Sequence, residues 1–200
     1  MKRRDSINGS PQVIGVLGIG HGCGATHTAM VLANYIANGL RIRTAVVEYN
    51  GNDDFMKIRR MAETVSHGLW DYTCKGIDIY ARVDKDRLSR IMAGEHEVII
   101  MDMNYIGSEA TDELIREFAR SSIKIAVCSL DMWRVCDLKS FLVNELHNIK
   151  NMRFWAQAYN AKRAKELERE FHVRIEQMAY EPDPMHILSK NMLWYKKQIY

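Results

Sequence analysis

The most chemically suggestive stretch of this sequence is glycine-rich and covers residues 18–29, GIGHGCGATHTA. It follows the apolar run QVIGVL and precedes an apolar, helix-like run, AMVLANYIANGL. Glycine permits positive φ and close backbone approach, so successive backbone N–H groups can surround an anion at a helix N-terminus. Thr26 falls in the first turn, where a phosphate-binding loop places the hydroxyl that ligates Mg²⁺. The stretch therefore predicts a phosphate site, with a helix cap as the alternative role of Thr26.

The loop contains no lysine, although most phosphate-binding loops of this shape carry one. That lysine reaches the β- and γ-phosphates, and each charge-assisted hydrogen bond contributes about 1.5–3 kcal/mol. Its loss weakens binding by about one to two orders of magnitude. His21 and His27 do not replace it, because a neutral imidazole is a poor substitute for an ammonium group. His27 either lines the nucleotide with the rest of the loop or, as the sequence favours, faces solvent or packs beside the helix start.

Composition restricts the class of protein more than it identifies one. The 200 residues are 47% hydrophobic and 26% charged, which is ordinary for a globular chain with a sizeable core. A net charge of +3 is too small to argue for nucleic acid. The four cysteines show no CxxC spacing and favour reduced thiols. No apolar run is long enough for a membrane span and no signal peptide is recognisable, so we expect a cytoplasmic protein.

Apolar runs of strand length alternate with helix-like stretches along the chain. Predicted strands cover residues 12–18, 44–49, 77–83, 98–103, 123–130, 153–159 and 174–180. Predicted helices cover residues 26–38, 54–63, 86–93, 111–121, 137–148 and 161–171. Continuous Val- and Ile-rich strands are buried on both faces, as in a parallel sheet. The order predicts an α/β fold with a doubly wound, mostly parallel sheet flanked by helices.

The predicted organisation is simple. We expect a flexible, basic N-terminus over residues 1–11 and a single domain over residues 12–185. The loop EPDP, residues 181–184, separates the last predicted strand from an amphipathic tail, residues 186–200.

Residues 13–50 resemble the opening of the MinD/ParA family of P-loop ATPases. The family's deviant Walker A motif, KGGxGK[ST], aligns with residues 20–26, in which Gly22, Gly24 and Thr26 match. Both family lysines are replaced, by Gly20 and Ala25. The first family lysine reaches the partner's nucleotide in a sandwich dimer, and the second contacts the phosphates. The resemblance therefore implies a degenerate Walker A motif and an inefficient ATPase.

The resemblance extends to further motifs. The segment GEHEVIIMDMNYIG, residues 94–107, resembles a Walker B strand and places Asp102 at its end, although such an aspartate can also simply cap a loop. Glu48 and Asn50 take the family's two acidic positions after the second strand. Asn160 takes the place of an adenine-contacting asparagine, with a helix N-cap as the alternative. The 181–184 loop, with Pro182, takes the other side of the base. Among the branches, the TadZ/CpaE-like proteins of pilus assembly are the most similar.

The resemblance implies ATP or ADP with Mg²⁺ as the cofactor and no structural metal. The implied nucleotide-binding residues are Gly20, Gly22, Cys23, Gly24, Ala25, Thr26, His27, Asn160 and Pro182. Thr26 and Asp102 are the implied Mg²⁺ ligands, through the nucleotide. The implied partners are proteins of an assembly machinery, and a homodimer is a further expectation.

Three functions remain open at this point. The first is a degenerate scaffold or positioning factor, in pilus or secretion-apparatus assembly, that hydrolyses ATP poorly or not at all. The second is a working ATP-dependent switch whose missing charge comes from a distant Lys or Arg. The third is a dinucleotide site, which the irregular GxGxxG spacing and the late acidic Glu48 disfavour.

Two aromatic-rich segments have alternative interpretations. The tail mixes aromatic residues with Lys190, Lys196 and Lys197 and could lie on an anionic bilayer as a basic helix. Its apolar residues form no clean stripe, which favours docking on the domain's own core or on a partner. Trp133 follows a predicted strand and either covers a ligand, contacts a partner or is buried against the 137–148 helix, the last being favoured.

Overall fold

The computed structural model describes residues 10–105 and 112–199, the side chain of Tyr105 excepted. Its nine strands are β1 Gln12–Ile19, β2 Thr44–Glu48, β3 Val65–Ser66, β4 Asp71–Cys74, β5 Ile77–Tyr80, β6 Val98–Tyr105, β7 Ile123–Cys128, β8 Met152–Ala156 and β9 Ile175–Gln177. Its α-helices are α1 Ala25–Asn34, α2 Asp54–Met61, α3 Lys85–Met92, α4 Asp112–Arg120, α5 Val135–Glu145, α6 Ala161–Phe171 and α7 Met192–Ile199. A π-helical turn, Tyr35–Gly39, continues α1.

The strands form one sheet in the order β3-β4-β5-β2-β6-β1-β7-β8-β9. From β5 to β9 all neighbours are parallel, whereas β3, β4 and β5 pair antiparallel. The chain leaves β1, at the centre, for β2 on one side and later reaches β7 on the other. The turn after β1 therefore lies at the carboxyl edge of the sheet, where strand order reverses and α/β proteins bind ligands.

Helices cover both faces of the sheet, as the apolar strands require. One layer contains α1, α2 and α7, and its core includes Val16, Val46 and Ile100. The other contains α3, α4, α5 and α6, and its core includes Leu17, Val47 and Met101. All five residues of β2 are buried, because a parallel strand between two helical layers has no face open to water.

The structure confirms the predicted doubly wound α/β fold. All seven predicted strands and all six predicted helices are present; α6 has its predicted bounds, and each of the others differs from its prediction at one end or both. The antiparallel strands β3 and β4 were not predicted, because they are two and four residues long. Residues 1–9, residues 106–111, which include the end of the Walker B-like segment and the start of the 111–121 helix, and Tyr200 lie outside the described residues.

The C-terminal segment packs against the same core as the central sheet. Tyr195 of α7 is fully buried and lies 5.7 Å, between ring centroids, from Tyr35. Trp194 packs edge-on against Trp155 of β8 at 4.8 Å. These contacts favour docking on the domain over membrane contact. Within the described residues, no helix has both the length and the apolar character needed to cross a membrane.

Candidate functional site

The glycine-rich loop connects β1 to α1 with three residues in the left-handed region. Gly20, Gly22 and Gly24 have φ values of 87°, 69° and 91°. A Cβ on Gly20 would approach the Asp137 carboxylate at 2.5 Å, and one on Gly24 would overlap the Gln157 amide. Only glycine fits these conformations and spaces. The loop thus keeps the backbone shape that can surround a phosphate.

The glycine-rich loop, residues 18–29, has no lysine or arginine side chain. Ala25, at the aligned lysine position, is only 7% exposed, and its methyl group points toward Gly18. Cys23 is buried, and burial raises the pKa of its thiol to about 11. Cys23 therefore stays protonated and contributes packing rather than reactive chemistry. His21 is exposed, and His27 is half-buried.

Asp102 lies fully buried beneath the loop, at the predicted Walker B position. The Asn50 amide donates to its Oδ2 at 2.9 Å, and the Thr26 side chain lies beside the carboxyl group. Its Oδ1 is buried without a partner. Burial first, and then the nearby charges of Glu48 and Asp54, raise the pKa of Asp102 to about 7, against the lowering effect of the Thr26 and Asn50 side chains. A buried carboxylate with an unpartnered oxygen beside a threonine hydroxyl fits a site that a cation completes.

The two groups at this point could supply part of a magnesium shell. Mg²⁺ prefers six oxygen ligands and is usually held by one or two protein groups together with substrate phosphates and water. Thr26 and Asp102 offer a hydroxyl and a carboxylate of that kind. Two protein ligands are too few to hold Mg²⁺ alone, so these residues fit an ion that is also bound by the phosphates of a nucleotide.

Glu48, the neighbouring buried carboxylate, has a different role. It lies in register with Asp102 across β2 and β6. Its Oε1 accepts from the Phe55 backbone N–H at 3.0 Å, and its Oε2 accepts from the Arg82 N–H at 3.2 Å. Both oxygens are thus engaged with the protein. Glu48 holds the start of α2 against the sheet.

Two cavities open on either side of the loop. The first, the phosphate-side cavity, has a volume of about 420 Å³. It is bounded by the loop, the end of β2, the first two turns of α2 and the end of β6. Its lining residues are Gly20, His21, Gly22, Cys23, Gly24, Ala25, Thr26, His27, Asn50, Asn52, Asp54, Lys57, Asp102, Met103 and Asn104. It thus collects the predicted loop residues and both predicted Mg²⁺ ligands.

The second, the base-side cavity, has a volume of about 510 Å³. It lies between the loop, the ends of β7 and β8, and the segment after β9. Its lining residues are Gly22, Cys23, His27, Ser129, Arg134, Gln157, Ala158, Met178, Ala179, Tyr180, Glu181 and Pro182. Pro182, which the resemblance implies beside the base, is among these lining residues, and its contact with a base stays a prediction.

Asn160 and Trp133 line neither of the two cavities. Asn160 is absent from the linings of both cavities, and its side chain accepts from the Arg163 N–H at 3.1 Å as the N-cap of α6. The base contact thus stays a prediction, while the helix cap is observed. Trp133 is 70% exposed, so the expectation that it is buried against α5 is wrong. It lies in the turn that precedes α5, with its side chain toward solvent.

Sequence reasoning missed several of the side chains that line the cavities, including three cationic or amide groups. Lys57 lines the phosphate side, and Arg134 and Gln157 line the base side. An available signal was position: Lys57 follows the carboxyl end of β2 within the first turns of α2, and the other two follow the ends of β7 and β8. Carboxyl ends of parallel strands meet at one edge, so polar residues just after them converge.

Comparisons with known proteins agree with this fold. No protein-family model and no curated protein matches the sequence. A plasmid partition protein of Borrelia burgdorferi, solved bound to AMPPNP, has 13% identity and a TM-score of 0.59, over 94% of this chain and 99% of that one. The MinC:MinD cell division complex of Aquifex aeolicus has 13% identity and a TM-score of 0.59, over 86% of this chain and 82% of that one. The septum site-determining protein MinD of Pyrococcus horikoshii, complexed with Mg-ADP, has 12% identity and a TM-score of 0.59, over 86% of this chain and 82% of that one. The chain therefore has the MinD/ParA P-loop NTPase fold.

Proposed function

We propose that this protein is a nucleotide-binding positioning or scaffold protein that binds ATP or ADP with Mg²⁺ and hydrolyses ATP poorly or not at all. The nucleotide would lie across the loop, with its phosphates and Mg²⁺ in the phosphate-side cavity and its base in the base-side cavity. The observation that carries this proposal is the unpartnered Asp102 Oδ1 beside Thr26, directly under the glycine loop.

The charges around the loop support dependence on Mg²⁺. Asp102 lies beneath the loop and Asp137 lies against Gly20, while Lys57 and Arg134 are each paired with an aspartate. A free nucleotide brings several negative charges close to these two carboxyl groups. A bound Mg²⁺ offsets both sets of charges, so we expect it to tighten binding.

The loop composition supports weak hydrolysis. Phosphoryl transfer depends on positive charge held around the transferred group. The two family lysines are absent, and a buried methyl group and a glycine stand in their places. Binding would then act as a structural signal to protein partners. The resemblance to TadZ/CpaE-like proteins supports a role in assembling a pilus or secretion apparatus, and the fold supports a homodimer.

A working ATP-dependent switch is the second candidate. The observation that favours it is the presence of Lys57 and Arg134 at the two cavities, since either could return some of the lost charge. Measured turnover separates the candidates. A switch needs hydrolysis that disappears in Thr26→Ala, whereas a scaffold shows no turnover to lose.

Calorimetric titration of ATP and ADP, with and without Mg²⁺, tests the proposal. We expect weak binding that Mg²⁺ tightens. Ala25→Lys is the matched gain-of-charge variant, and it should bind about tenfold to a hundredfold more tightly. Absence of binding to the wild type at millimolar nucleotide, with binding restored in Ala25→Lys, would show that the loop is a relic and that the protein acts without nucleotide.

A further inference from the structure

Lys57 is the only lysine or arginine among the residues that line the phosphate-side cavity in the described part of the chain. It shares this cavity with Thr26 and Asp102, the two groups placed to hold Mg²⁺. In phosphoryl-transfer sites the metal bridges the β- and γ-phosphates. A terminal phosphate bound here would thus lie in the cavity that Lys57 lines.

The helix that carries Lys57 is held firmly at its N-terminal end. Phe55 is fully buried, its N–H donates to Glu48, and its carbonyl accepts from the Tyr72 hydroxyl at 2.5 Å. The backbone of Lys57, two residues later on the same helix, is therefore held in place. Its four-carbon stem and 69% exposed side chain leave the ammonium group free to reorient.

The present partner of Lys57 lines the same cavity. Its Nζ donates to Asp54 Oδ1 at 2.6 Å, three residues earlier on α2. That hydrogen bond raises the pKa of Lys57, so the ammonium group carries its charge. Exposed ion pairs of this kind stabilise proteins little, so exchange of Asp54 for a phosphate oxygen costs little.

From this geometry we infer that Lys57 supplies the positive charge that the loop lacks, by binding the terminal phosphate of a nucleoside triphosphate. The inference rests on the proposed nucleotide binding and deepens it. A diphosphate lacks the group that Lys57 would contact. Lys57 therefore makes the site select a triphosphate over a diphosphate, and it couples α2 to the state of the nucleotide.

Equilibrium binding of a non-hydrolysable imido analogue of ATP and of ADP, both with Mg²⁺, tests this inference. In Lys57→Gln we expect the analogue to bind about tenfold more weakly, since one charge-assisted hydrogen bond is lost. Binding of ADP should be little changed. Lys57→Arg keeps the charge and should retain part of the preference.

Lys85→Gln is the matched control. The Lys85 side chain is also 69% exposed, and its Nζ faces a carboxylate, that of Glu113, at 3.9 Å. It lies outside the linings of both cavities, so neither ligand should bind differently. Equal thermal unfolding of the variants and the wild type would show that all are folded.

The remaining outcomes separate this inference from the proposed function. If wild type binds both ligands and Lys57→Gln leaves both affinities unchanged, the inference is wrong and nucleotide binding stands. If Lys57→Gln weakens both ligands equally, the charge is general and the selection of a triphosphate is wrong. If the wild type binds neither ligand, both the inference and the proposed function are wrong.

Discussion

The two cavities beside the glycine loop are lined by different elements of the fold. The phosphate-side cavity is lined by residues at the ends of three central parallel strands, β1, β2 and β6, and by the start of α2. The base side is shaped by strand ends and by the segment after β9. The glycine loop keeps its backbone shape although it contains no lysine, so the shape of the loop does not depend on its charge. The glycines serve the packing of Asp137 and Gln157 as well as any ligand, whereas a lysine serves the ligand alone.

The base side also depends on the C-terminal segment. Glu181 is buried, and its carboxylate accepts from the Leu188 N–H at 2.9 Å and from the Asn191 side chain at 3.0 Å. The hydroxyl of Tyr195 donates to the Ala179 carbonyl at 3.3 Å. The 178–182 wall is therefore held from behind by the residues that lead into α7 and by α7 itself.

The largest expected difference between the two sides comes from Asp102→Asn. This variant should lose the tightening of nucleotide binding by Mg²⁺, about tenfold or more, because a charged ligand becomes a neutral amide. Calorimetry with and without Mg²⁺ measures it. Preserved Mg²⁺ dependence in the variant would show that the ion is held elsewhere.

The same substitution should change how stability depends on pH. In the folded protein Asp102 has a pKa of about 7, above its ordinary value of 3.8, so the folded state binds more protons between those values. The free energy of unfolding should thus fall as pH rises through this window, by up to a few kcal/mol. Denaturation at about pH 5 and about pH 8 should show Asp102→Asn gaining stability relative to the wild type at the higher pH. An equal difference at both pH values would contradict a raised pKa.

A smaller effect is expected on the base side, from Arg134→Gln. The Arg134 Nη2 lies 3.3 Å from where a Cβ on Gly22 would stand, and its Nη1 pairs with Asp131 at 3.1 Å. We expect ATP and ADP to lose affinity equally, about threefold to tenfold, with or without Mg²⁺. Arg120→Gln is the control, since Arg120 has the same spacing from its partner, Glu117, away from both cavities. Selective loss of ATP would place Arg134 on the phosphate side.

Asn160→Ala should affect stability more than binding. The side chain caps α6, so its loss should cost about 1 kcal/mol of the free energy of unfolding. Nucleotide affinity should be little changed. Urea denaturation and calorimetry on one preparation compare the two effects, and a clear loss of affinity with unchanged stability would restore the base contact implied by the resemblance.

The smallest effect is expected from Lys196→Glu combined with Lys197→Glu. Both residues are exposed on α7, whose aromatic residues pack inward against the core. If α7 belongs to the support of the base-side wall, co-sedimentation with anionic vesicles should be the same for variant and wild type. Vesicle binding by the wild type that the variant loses would instead favour a membrane role.

Much of this architecture could be predicted from the sequence, because it depends on local patterns. Runs such as VIIM, residues 98–101, are apolar at every position, as expected for a strand covered on both faces. The glycine loop and Thr26 were recognisable by spacing. The hairpin of β3 and β4 was not, because β3 has only two residues, both exposed, and β4 has only four.

By itself, the sequence determined the α/β order, the glycine loop and the absence of lysine from that loop, since each depends on neighbouring residues. Only the tertiary structure decided which distant side chains meet there. Lys57, Asp102 and Arg134 come from three separate parts of the chain and line the two cavities beside the loop because parallel strands end at a common edge. The pKa of Asp102 was likewise decided by tertiary burial beside Glu48, which no local pattern encodes.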